Sequence, residues 1–268
     1  MNLTLQDLSK DLDTIISVNE DTLKTSSSRV SLEQKYCLGL LSRIVLHGKG
    51  LKALFSQIPA IPDLEYSAGL ISRAAILDCM LTVKLVSEIY KDENVIALTK
   101  EKIELIKIHC ETALSDGLKF DLKFVDLVTK FKPELMSDKI KEYQKIRATY
   151  GSLLKPASSD EKPAPKHTYV LGPLKLFEHL LKGKNPNWAF LYDPYMFFSK
   201  YDHFGLQYFN AVKQPLSFKI PIYIDVVKTL LLHSIFLHDI IALRFKVAFM
   251  NDQSEKLQIY LNSLNPPL

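Results

Sequence analysis

Between Ile220 and Met250 the chain is apolar on nearly every side of a helical wheel. A helix of that kind needs neighbours all round it. This one requirement constrains the fold more than any other feature. It predicts a central helix, about Asp225 to Met250, with the remaining helices packed around it. The segment still carries Asp225, Lys228, His233, His238, Asp239, Arg244 and Lys246. Its longest run without Asp, Glu, Lys or Arg is Thr229 to His238, too short to cross a bilayer. The opening MNLTLQDLSKDLDTII lacks the basic start and long apolar core of a signal peptide. No membrane span is expected, and the expected location is cytoplasmic.

The rest of the chain reads as one helix after another. Ser31 with Gln34 three residues on forms a capping box. The helix it opens must stop before Pro59 and Pro62. Ordinary amphipathic spacing predicts further helices over 63–90 and 93–114. Asp116-Gly117 then supplies turn chemistry. Beyond it come a short element near Leu122 to Phe131 and a helix from Glu134 to about Leu154. No sustained strand alternation is present, and nine glycines in 268 residues argue against an all-β chain. The fold class expected is all-α, a multi-helix bundle without a sheet.

Residues 155–173, KPASSDEKPAPKHTYVLGP, hold four prolines. Such composition cannot bury a core, so it reads as a loop or linker. It separates N-terminal helices (1–154) from C-terminal helices (174–268). The apolar helix near the C-terminus needs the N-terminal helices as cover, which favours one domain over the whole chain.

The densest chemistry lies in Tyr192 to Asn210, YDPYMFFSKYDHFGLQYFN, with eight aromatics in nineteen residues. Asp193-Pro194 suits a helix start. At about 100° per residue, Tyr195, Ser199 and His203 share one face, with Asp202 beside Tyr195. Phe197, Tyr201, Phe204 and Tyr208 form an aromatic core face. Tyr195, Ser199, Asp202 and His203 are thereby candidates for a polar seam, where a histidine beside a hydroxyl and a carboxylate acts as a base or binds an anion.

Asp78 on the third helix and Asp239 on the central one need partners. A cation from another helix answers this for Asp78, and a charged seam of Lys228, Asp239 and Lys246 answers it for Asp239. The alternative is a buried polar cavity lined by Arg73, Asp78, His203, His238 and Asp239. Ser199 lacks a glycine-flanked nucleophile elbow. His233 and His238, five apart, diverge on one helix, and no metal-ligand motif is present, so neither metal nor cofactor is expected. Cys37, Cys79 and Cys110 read as buried thiols. A net charge of +4 does not demand nucleic acid. Lys182, Lys184 and Trp188 are the residues that could meet a phosphate and stack a base.

SRAAILDCMLTVKLVSE with a later FFSKYDHFG resembles all-helical bacterial families with an Arg-x4-acidic helix and a later Ser-x3-His segment. These are grouped loosely with HEPN-like proteins, helical nucleotide-binding or ribonuclease modules. The matching positions are Arg73, Asp78, Ser199 and His203, and the resemblance covers about a third of the chain. It implies an all-α fold and a role in a bacterial stress or phage-defence locus. HEPN ribonucleases carry an Arg-polar-x3-5-His motif, and Arg43 to His47 is one residue shorter, with Ile44 at the polar position.

Two functional expectations result. One is a non-catalytic binding or interaction protein using the seam, with a protein partner or a homodimer. The other is a HEPN-like ribonuclease or nucleotide-processing enzyme using Arg73 and His203, acting on RNA or nucleotides.

Overall fold

A computed structural model describes residues 4–25, 31–89, 99–157, 162–166, 173–182, 191–202, 210–245 and 248–264. Its helices are α1 (Leu5–Thr25), α2 (Leu32–Gln57), α3 (Leu64–Ile89), α4 (Lys100–Phe131), α5 (Met136–Tyr150), α6 (Pro173–Lys182), α7 (Tyr192–Asp202), α8 (Leu216–Phe245) and α9 (Ala248–Leu264). Among the described residues there is no strand, only an isolated bridge between Leu154 and Pro165. The protein is all-α. The chain divides into two compact units, Met1–Thr99 with Pro173–Leu268, and Lys100–Gly172.

In the first unit α8 is the core. It packs against α1, α2, α3, α7 and α9. Tyr223, Val226, Val227, Leu230, Leu231, Leu237, Ile240 and Ile241 are all inaccessible or nearly so. The helix begins before the expected Asp225 and carries Pro221 inside it. By length and composition Leu216–Ala242 could also cross a membrane, and here more than half of that stretch is buried inside the protein. The amphipathic helices supply the cover. Leu8, Leu12, Ile15 and Ile16 of α1 are buried, as are Leu40, Leu41, Ile44 and Leu51 of α2. Ser31 caps α2 as the sequence indicates, its Oγ accepting from the Gln34 amide at 3.2 Å.

The second unit corrects one expectation. Asp116-Gly117 is no turn, because α4 runs through it without a break from Lys100 to Phe131. Leu118 and Leu122 continue the buried face past the glycine, and Lys119 donates to Asp116 at 2.6 Å across one turn. Local propensity is outweighed by continued apolar spacing. The helix ends at Phe131, and a 3-10 turn from Pro133 leads into α5. Asp126 of α4 gathers Lys139 at 3.0 Å, the Tyr143 hydroxyl and Lys162. Part of the proline-rich stretch folds back on the end of α5, with Lys155 N donating to Ala164 O at 2.9 Å and Lys166 N to Leu153 O at 2.8 Å.

Candidate functional site

The aromatic helix α7 meets α3 at Gly69. A Cβ there would lie 2.5 Å from Cδ2 and Cε2 of Tyr201 and 3.0 Å from Cδ1 of Phe198. The missing side chain is what lets the two rings seat on α3. The buried face of α7 accordingly comprises Tyr195, Phe198, Ser199 and Tyr201, while Phe197 is only half-buried. This rotates the helix from the expected orientation. Tyr195 and Ser199 lie inside, and Ser199 Oγ donates back to Tyr195 O at 2.7 Å. The helix also begins at Tyr192, so Asp193 and Pro194 occupy its first turn rather than preceding it.

Beneath α7 lies a charged cluster that periodicity did not reveal. Glu65, in the first turn of α3, is buried. Its Oε1 accepts from Tyr223 OH at 2.7 Å and Tyr201 OH at 2.9 Å. Its Oε2 accepts from Lys219 Nζ at 2.5 Å. Lys219 also donates to Val212 O at 2.9 Å and lies 5.6 Å from the centre of the Tyr201 ring. Burial, with the Glu65 carboxylate alongside, pushes the Tyr223 phenol well up. A buried ion pair this fully hydrogen-bonded fixes how α3, α7 and α8 dock.

The described candidate residues pair with different helices. Arg73 of α3 lies 5.8 Å over the Tyr195 ring, so these two come together. Asp78 faces α2 instead, where its Oδ2 takes Arg43 Nε and His47 Nε2, both at 2.6 Å. His238 faces α1. Its Nδ1 lies 2.7 Å from Ser234 O and must be the protonated nitrogen, which leaves Nε2 to accept from Thr22 Oγ1 at 2.7 Å. Burial holds this ring neutral, with its pKa lowered to about 4. His233 is lowered likewise to about 4 by burial, against the opposing pull of the Thr229 and Cys79 carbonyls. Asp239 faces α9, accepting from Ser254 Oγ at 2.5 Å, and burial raises its pKa. Among the described residues these groups form separate interhelical pairs: Arg73 and Asp78, five apart, and His238 and Asp239, one apart, point to different neighbours. His203, Lys184, Trp188 and Lys246, and the side chain of Asp202, lie outside the described residues.

Arg43, His47 and Asp78 make a compact set of their own. Asp78 and His47 are largely buried, while the Arg43 side chain is 57% exposed. The carboxylate holds one histidine nitrogen, and the guanidinium keeps part of its fork in solvent.

The second unit presents a different feature. Phe120, Phe124, Leu127 and Phe131 are 78%, 66%, 50% and 75% exposed. Their spacing puts them on one line along α4, away from the buried Leu118, Leu122 and Thr129. A groove of about 320 Å³ opens beside Phe124, lined also by Val125, Ile146, Tyr150, Asp121 and Glu142.

Comparison with protein-family models, curated proteins and solved structures yields no match to this chain.

Proposed function

We propose that this chain is a non-catalytic interaction protein whose binding surface is the exposed apolar line on α4. The aromatic residues of that line carry the reading, since a contiguous apolar face left in water marks an interaction site. The polar groups of the first unit serve the fold. Glu65 is saturated by three donors, Ser199 is spent on its own helix, and His238 bridges α1 and α8. The seam expected at Tyr195 and Ser199 thus becomes a packing surface, and binding moves to α4. A cytoplasmic location belongs to the same proposal. Proximity labelling in the native host, with wild type beside a Phe120→Ser/Phe124→Ser variant of unchanged circular dichroism, tests it. Loss of a discrete partner set in the variant supports the reading, and an unchanged set removes it.

A second reading rests on the convergence of Arg43 and His47 on Asp78. An oriented histidine beside a partly solvated guanidinium suits general acid–base chemistry on a phosphodiester. It favours the HEPN-like ribonuclease, with Arg43 and His47 taking the roles first expected of Arg73 and His203. RNA cleavage abolished in both Arg43→Ala and His47→Ala would establish it. Intact RNA after incubation with wild type would dismiss it.

A further inference from the structure

We infer that Asp78 is a positioning residue for His47. It locks the ring as the Nε2–H tautomer, so that Nδ1 takes a hydroxyl proton from a phosphate-bearing substrate held at Arg43. This rests on the second, phosphodiester reading above and names the atom that does its chemistry. Arg43 and His47 stand one turn apart on α2, and Asp78 reaches both from α3. An ionised carboxylate has no proton to give, so His47 Nε2, 2.6 Å from Asp78 Oδ2, carries one. The lone pair of the neutral ring then lies on Nδ1.

Two other helical histidines of the chain take the opposite form. His233 Nδ1 lies 2.5 Å from Thr229 O and His238 Nδ1 lies 2.7 Å from Ser234 O, each turned back to the carbonyl one turn before it. Both of those rings are buried. His47 forgoes that bond. Its Nδ1 has no partner among the described residues and is open to water. An ion pair between Arg43 and Asp78 alone would leave His47 free to bond back along its own helix. The carboxylate instead holds the far end of the ring, and a carboxylate on one imidazole nitrogen makes the other more basic. Arg43 is held through Nε, which leaves its two terminal nitrogens uncommitted among the described residues, on a side chain 57% exposed. They form a fork for phosphate oxygens. When Nδ1 takes the proton, the hydroxyl's electron pair stays on its oxygen. The positive charge gained by the ring lies against the Asp78 carboxylate.

Two measurements on the full chain test this. The first is a long-range proton–nitrogen correlation spectrum of labelled protein at about pH 8.5, where an ordinary imidazole is neutral. His47 should show a protonated Nε2 and a bare Nδ1, the reverse of His233 and His238, with His47→Gln assigning the signals. Asp78→Asn keeps the size and should reverse the His47 pattern, since the amide can offer Nε2 a donor. A contact that merely braces α2 on α3 would not move that proton. The second is cleavage of a fluorescein-labelled single-stranded RNA oligonucleotide. Asp78→Asn should lower kcat at least tenfold and leave KM within about twofold. A bare Nε2 in the wild type, or a pattern or kcat unchanged in Asp78→Asn, overturns the inference, and the ribonuclease reading survives wherever the wild type cleaves. Should Asp78→Asn fail to fold, the wild-type spectrum alone still decides the tautomer. RNA left intact by the wild type dismisses that reading, and the proton-accepting role with it, whatever the tautomer.

Discussion

Lys219 Nζ sits 2.5 Å from Glu65 Oε2, joining two buried side chains 154 positions apart. The pair ties the first turn of α3 to the first turn of α8, with two tyrosine hydroxyls completing the carboxylate's shell. Removing one charge strands the other in a buried site. Glu65→Gln and Lys219→Met are each expected to lower stability by about 3–5 kcal/mol. Glu65→Leu/Lys219→Met should lose clearly less than the two singles added together, since no lone charge remains. Urea denaturation of the four proteins measures this, and strict additivity would contradict it.

Two glycines on helices should respond in opposite directions to alanine. Gly69→Ala forces a methyl into the Tyr201 ring at 2.5 Å and should cost about 1–3 kcal/mol. At Gly117, in the middle of α4, nothing lies within 4 Å of the new carbon. Gly117→Ala should stabilise the chain by about 0.5–1 kcal/mol. Thermal melts decide, and the sign of each shift is the readout.

The buried histidines set a pH dependence. His233 and His238 titrate near 4 in the fold and near 6.5 when unfolded. Between those values the unfolded chain binds more protons, so stability is full above pH 6.5 and falls as pH drops toward 4. At pH 5 each ring should have cost about 2 kcal/mol. Asp225 and Asp239, raised by burial, act with the opposite sign, since the fold holds their protons to higher pH. They temper the loss in the carboxylate range. Urea midpoints at pH 7.5, 6 and 5 should fall in that order, and His238→Gln should flatten the trend. A midpoint independent of pH would refute the assignment.

The three cysteines are buried, and burial raises the Cys37 thiol to about 12 and the Cys79 thiol well above its ordinary value. Native protein should show no reaction with Ellman's reagent over minutes, and three equivalents should appear in guanidinium. A fast native equivalent would place one thiol at the surface.

The fold class is legible because helical spacing of apolar residues reports burial directly. The central helix announces itself by being apolar on nearly every side, and Ser31 with Gln34 marks the start of α2. The demand of Asp78 for a cation from another helix is readable as well, and Arg43 supplies it. Which helix each polar residue faces is not readable. Glu65, Lys219 and Tyr223 carry no local mark that would pair them, since their meeting depends on helix order and rotation. A wheel alone has no origin, so it puts Tyr195 and Ser199 on a seam, and only Gly69 fixes the rotation of α7. The exposed line on α4 stays hidden for a related reason. A turn at Asp116-Gly117 cuts the expected helix just where its aromatic register begins.

The first unit is drawn from both ends of the sequence, with Lys100–Gly172 intervening. A nascent chain must therefore synthesise and extrude the whole of α4 and α5 before α8 exists to shelter α1, α2 and α3. Until α8 has left the ribosome, α1, α2 and α3 lack the helix that all three pack against. Such a chain should lean on holding chaperones during synthesis, and truncation ahead of α8 should yield insoluble product rather than a smaller folded protein.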